Sequence, residues 1–152
     1  MRRASFTFLI AVMIYGLASQ CSVAQTAASN LEGRWQVVFD LDGAKKTLIF
    51  ESKAGGSGSF VLMNDEKQMG ASLPAVWTRI DNDRVSFSGD AELPLGTCCV
   101  ELGTATFKGR FKSTNSISGK VVFVTSVDDE ESPLKLRSAV GTFTATRIDD
   151  RR

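Results

Sequence analysis

The chain predicts an all-β fold, an eight-stranded up-and-down antiparallel barrel following an N-terminal signal peptide. Three observations predict it. Apolar residues recur with a period of two through a series of short segments, the mark of strands with one face in a core and one in water. Segments rich in Gly, Asn and Asp separate them at regular spacing, and no long stretch carries a helical period. Closing such a sheet into a barrel of about eight strands also removes the exposed edges that invite aggregation.

The pattern is clearest in Leu31–Gly43, LEGRWQVVFDLDG. Trp35, Val37, Phe39 and Leu41 share one face, and Asp42-Gly43 closes the segment with a dipeptide suited to a tight hairpin. Lys45–Ser52 follows as a second strand with Leu48 and Phe50 inward, and Ala54–Gly58 is a glycine turn. Ser59–Asn64 is the third strand, with Phe60 and Leu62 inward, before a polar connection over Asp65–Pro74. Ala75–Ile80 is the fourth, ended by Asp81-Asn82-Asp83, and Arg84–Ser88 the fifth. A long connection, Gly89–Gly103, carries Pro94 and the pair Cys98-Cys99. Thr104–Phe111 alternates cleanly as the sixth strand, Lys112–Ser116 turns, and Ile117–Val124 is the seventh. After an acidic connection, Thr125–Val140, Gly141–Arg147 is the eighth.

Phe39, Phe50, Phe60, Phe87, Phe107, Phe111, Phe123 and Phe143 all fall on the inward parity of their strands. Burying each is worth roughly 1.5–3 kcal/mol, so the core needs neither a metal nor a disulfide.

Successive connections in an up-and-down barrel alternate between its two ends. The three longest, 65–74, 89–103 and 125–140, all fall at the end reached by the first strand, and the other end holds short turns. Long loops are where function usually sits, so one end is expected to be elaborated and the other tight. The tight end should bring Trp35 and Arg147 together, because both have inward parity on the first and last strands. A guanidinium over an indole is worth roughly 0.5–2 kcal/mol and would plug that end.

Gly33-Arg34-Trp35 resembles the Gly-x-Trp signature of the lipocalins and wider calycins, and Arg147 stands where that superfamily places an Arg across the Trp. The chain thus looks like a small bacterial lipocalin-like protein, in which Gly33, Trp35 and Arg147 are structural. It departs from the family's pattern in its short first hairpin, in lacking a Thr-Asp-Tyr motif and in lacking a long helix after the barrel. The resemblance therefore carries a fold and no specific ligand.

Upstream, the basic Arg2-Arg3, the apolar run 6–17 and the small residues Ser22-Val23-Ala24 form a secretory signal peptide, 1–24, with cleavage before Gln25. The run is shorter than the roughly 20 residues that cross a bilayer, so no integral membrane segment is expected in the mature chain. A lipid anchor at Cys21 is disfavoured, since Gln20 stands where such signals carry a small residue. The mature chain, 25–152, is one domain with a secreted or periplasmic destination.

Arg2 and Arg3 leave with the leader, so the 18 basic residues of the whole chain fall to two fewer against 17 acidic, a net charge near −1. A near-neutral domain lacks the electrostatic footprint that phosphate backbones demand, so nucleic acid is not an expected partner.

Two readings stand for Cys98-Cys99. Adjacent cysteines in an oxidising compartment can form a strained disulfide or a redox or soft-metal site; equally, they are small loop residues without a role. No metal site is expected, because the chain has no His and the acidic run Asp128-Asp129-Glu130-Glu131 lacks the spacing of a calcium loop. Trp77 and Arg79 share one face of the fourth strand, which is read as an ordinary amphipathic strand.

Without His, and without a Gly-flanked serine elbow or a carboxylate pair, neither an enzyme nor a cofactor is expected. The expected function is binding of a small apolar ligand at the long-loop end. Phe39, Leu62, Phe87 and Phe123 would line the pocket, with Met63, Leu95 and Leu134 at its rim. The alternative is a protein-interaction module, an exported inhibitor-like barrel with a filled interior, whose loops 89–103 and 125–140 contact a partner.

Overall fold

A computed structural model describes residues 30–64, 68–94, 100–129 and 132–148. The leader, Leu95, Cys98 and Cys99 lie outside the described residues. Eight strands form one closed antiparallel barrel in sequence order. They are β1 (Gly33–Leu41), β2 (Ala44–Ser52), β3 (Ser57–Met63), β4 (Met69–Arg79), β5 (Arg84–Pro94), β6 (Val100–Ser113), β7 (Ser116–Asp129) and β8 (Ser132–Ile148). A short 3-10 turn at Ala54–Gly56 is the one helical element among the described residues. The ring closes because β1 pairs with β2 on one side and with β8 on the other, over Arg34↔Ile148 to Leu41↔Gly141.

The interior is a packed column of aromatic rings. Phe39, Phe50, Phe60, Phe87, Phe107, Phe123 and Phe143 are all buried, and Phe111 packs against them from the rim of the core. Phe50, Phe87 and Phe107 stack in parallel with centroids 4.7 and 4.8 Å apart. Phe39, Phe60 and Phe143 meet this stack edge-on at 5.3–6.2 Å. Offset stacks and edge-to-face contacts are the arrangements that ring quadrupoles favour, so the column adds pairwise attraction to the burial of its area.

The last five strands are longer than their alternation predicts, and the long connections shrink to match. β4 begins at Met69 rather than Ala75, β5 runs to Pro94, and β6 starts at Val100. β7 and β8 together absorb nearly all of the connection expected over 125–140. The elaborated end is therefore built of tall hairpins rather than loops. The physical reason lies in the inward positions of the added segments, where Ala91, Gly103, Thr125 and Ala139 are small and Glu101 and Arg137 are charged. Small and weakly polar residues give a period of two with little hydrophobic contrast, although the backbone ladder continues through them. Outward apolar residues such as Leu102 and Val124 blur the contrast further.

At the opposite end, which we term the base, Trp35 is fully buried and stands opposite Arg147 in the β1–β8 register. The Arg147 guanidinium carbon lies 4.4 Å from the centre of the Trp35 ring system. While stacked there it donates to the carbonyls of Glu32 (2.6 Å) and Asn30, strapping the chain's approach to β1 across the base. Trp35 Nε1 donates to the Leu31 carbonyl at 2.7 Å, which the Ser52 hydroxyl also reaches. Gly33 has φ 122°, and a Cβ there would fall 2.7 Å from Arg147 Nη1. A side chain at Gly33 is thus excluded both by backbone conformation and by the guanidinium it would displace.

Candidate functional site

The site follows from an interruption in the barrel wall. β4 and β5 pair only from Arg79↔Val85 to Ala75↔Gly89, near the base. Beyond that point β4 continues through Met69–Pro74 paired only to β3, and β5 continues through Asp90–Pro94 paired only to β6. Two residues mark where the ladder stops. Proline has no N–H to give a sheet, and Pro74 supplies the last position of β4 before pairing begins. Gly89 faces it closely: a Cβ there would fall 2.8 Å from the Pro74 carbonyl oxygen and 2.9 Å from the Phe60 ring.

A cavity of about 360 Å³ occupies this gap. Leu48, Phe60, Leu62, Leu73 and Ala91 give it an apolar floor and walls, above the ring column. Gly70 and Ala71 on β4 keep one wall low, and Met63 and Met69 are adaptable apolar groups beside them. Its polar lining consists of Lys46, Asn64, Gln68, Asp90 and Glu92. The gap makes this a lateral opening between two strands, with carboxylates on the β5 side.

Across the barrel the mouth is treated differently. Glu101 and Arg137, at inward positions of β6 and β8, form an ion pair with Arg137 Nη1 2.9 Å from Glu101 Oε1. Thr125, between them on β7, is buried and donates its hydroxyl to the Leu102 carbonyl at 2.7 Å. That half of the mouth is filled with polar contacts, whereas the β3–β5 half is hollow and apolar.

Of the residues expected to hold a ligand, Leu62 and Met63 line the cavity. Phe39, Phe87 and Phe123 do not: each is at most 1% exposed and belongs to the packed interior. Their placement has a simple cause, since inward parity does not distinguish a ring facing a void from one facing another ring. Leu134 falls on β8, at a position whose side chain is among those not described. Trp77 is half-buried against the core and donates from Nε1 to the Lys53 carbonyl at 2.9 Å, so it serves the base rather than the site. Sequence reasoning missed Lys46, Leu48, Leu73 and Ala91 as lining residues. The signal that could have located the gap was Pro74, because proline within a strand implies an unpaired edge.

No family model matches the chain, and no curated protein matches it. Among solved structures, that of EF1p2_mFAP2b bound to DFHBI is similar, with a TM-score of 0.50 and 12% identity. The match covers 81% of this chain and 98% of that one. At this identity the likeness concerns the fold.

Proposed function

We propose that this chain is an exported, lipocalin-like binding protein that takes a small apolar molecule into the cavity between β4 and β5. The observation that carries the reading is the coincidence of an open seam in the wall with a cavity of about 360 Å³ floored by apolar side chains. Ligand pockets are typically about 300–1,000 Å³ and mostly apolar with a few polar groups, which is the character of this one. A barrel of similar fold, EF1p2_mFAP2b, is bound to DFHBI, which supports the use of such an interior for a small molecule. The ring column fixes the depth to which a ligand can sink. Its apolar part would rest on Leu48, Phe60 and Leu62, and any polar end would lie toward Lys46, Asp90 and Glu92. The reading is one of binding rather than catalysis, in a chain without histidine.

The test is titration of the folded protein with an environment-sensitive apolar fluorophore, 1-anilinonaphthalene-8-sulfonate, alongside native mass spectrometry. Saturable uptake at one site, abolished in Leu73→Trp, is the expected result. A natively folded sample that takes up no probe would remove the proposal.

The filled lower interior favours a second reading, in which the barrel is an exported protein-interaction module that presents its mouth to a protein. Here the loops expected over 89–103 and 125–140 would carry the contact. The test variants delete part of 89–103 or replace the acidic run 128–131 with Gly and Ser. Loss of a pulled-down partner in those variants, with probe binding unchanged, would select this reading.

A further inference from the structure

The chain is close to neutral in total, yet one part of its outer wall gathers cations. On β5, β6 and β7 near the base, Arg84 stands opposite Arg110, and Lys108 stands opposite Lys120. Like charges directly opposite in a sheet repel, and these two pairs are neighbours, because Lys108 and Arg110 share one face of β6. All four side chains are exposed, and together with Gly109, Ser118 and Gly119 they line a shallow concavity of about 300 Å³. Among the described residues, none that lines it is acidic.

The backbone holds the lysines in place. Gly109 pairs with Gly119 beside them, and a Cβ at Gly119 would collide with the Lys108 carbonyl oxygen. β6 and β7 approach there as closely as only glycine permits, so the two lysine stems start from fixed, neighbouring points. Carboxylates offset only half of the charge. Asp81 pairs with Arg84 at 2.5 Å and Asp83 with Arg110 at 3.2 Å, each engaging part of a guanidinium's five N–H donors. Among the described residues no carboxylate pairs with Lys108 or Lys120. Four cations against two carboxylates leave two positive charges at the concavity.

The geometry points to this concavity as a binding site for a phosphate dianion, either inorganic or carried as a terminal monoester. Charge selects that ligand. A phosphate monoester carries roughly −1.5 to −2 at pH 7, whereas a carboxylate or a phosphodiester carries a single charge and would leave the site half neutralised. Donor chemistry agrees, since the ammonium, guanidinium and Ser118 hydroxyl groups can all donate to acceptor oxygens. None of these residues lines the β4–β5 cavity, so this site stands or falls independently of the binding proposed there.

The test is a nitrogen-15 NMR titration of the folded chain with sodium phosphate, against sodium chloride at matched ionic strength. Phosphate should shift the amides of 108–110 and 118–120 saturably, and chloride should not. Lys108→Gln combined with Lys120→Gln should weaken the affinity about tenfold or more with unchanged near-ultraviolet circular dichroism. Asp83→Asn, which releases Arg110, should strengthen it, and Lys45→Gln on β2 should leave it unchanged. Equal responses to phosphate and chloride overturn the proposal, as does phosphate binding that ignores the paired lysine substitutions. Cosedimentation with phosphatidylcholine vesicles then separates the sources. Capture by vesicles containing phosphatidic acid, a monoester, over those containing phosphatidylglycerol, a diester, assigns the phosphate to a lipid headgroup. Phosphate binding without capture assigns it to a soluble ligand, and equal capture by both lipids overturns the proposal.

Discussion

The base and the mouth of this barrel are made by the same eight strands and solve opposite problems. At the base every connection is short and tied down. Lys53 N–H donates to Ser57 O, Phe111 N–H to Asp83 O and Arg147 N–H to Asn115 O, while Arg110 pairs with Asp83 at 3.2 Å. Trp35, Arg147 and the strap over Asn30–Gly33 then close the barrel from below. At the mouth the hairpins outgrow the core, one pair of strands loses its ladder, and a cavity fills the gap. Backbone ladders and aromatic rings thus saturate one end, whereas at the other the ladder alone persists. The difference teaches that the packed and the hollow parts of the interior are separable here along the barrel axis, because the ring column stands between them.

The sharpest way to break that separation is to empty the base. Trp35→Ala removes the largest fully buried side chain and leaves Arg147 without its platform. A loss of about 3–5 kcal/mol in urea-denaturation stability is expected, measured by circular dichroism. A loss below about 1 kcal/mol would show that the base does not hold the fold. Arg147→Met comes next. It keeps some of the side-chain volume but forfeits the cation–π contact and the two carbonyl bonds, for an expected cost of about 2 kcal/mol in the same assay. Arg147→Lys should recover only part of this, since an ammonium cannot stack flat and bridge two carbonyls at once.

At the mouth the expectation reverses. Leu73→Trp, which fills the cavity from β4, should change stability by less than about 1 kcal/mol while lowering probe affinity tenfold or more. Comparable losses in both quantities would mean that the cavity belongs to the structural core.

The smallest effect lies in the β4–β5 turn at the base. There the Arg84 side chain, helped by the backbone N–H groups of Asp83 and Arg84, holds the Asp81 carboxyl down from 3.8 to about 2. A carboxyl lowered on folding contributes stability that is fully present above its unfolded value and is lost as pH falls through its folded one. Stability should therefore decline slightly more steeply between about pH 4 and pH 2 in wild type than in Asp81→Asn. The check is a series of denaturation curves across that range, and parallel pH profiles for the two proteins would contradict it.

Much of this architecture was legible in the residues. The alternation in Leu31–Gly43, the parity of the phenylalanines and the sorting of connections led to eight strands, a closed ring and a meeting of Trp35 with Arg147. Those features depend on local periodicity and on chain order, both of which a sequence carries directly. The tall hairpins were read as loops because Gly103, Thr125 and Ala139 put small groups on the inward face. A hydrogen-bonded ladder does not require large side chains to continue.

What the amino-acid sequence determined by itself was therefore the closed sheet, its filled axis and its sealed base, since a period of two and an up-and-down order leave few alternatives. What only the tertiary structure decided was where the interior is empty and which cations share an outer face. Phe87 and Leu62 share inward parity, yet one is locked between rings and the other borders a void. Whether an inward side chain meets a neighbour depends on the spacing of strands far apart in the chain. That spacing is set by where the β4–β5 ladder ends, a property of two segments together and of neither alone.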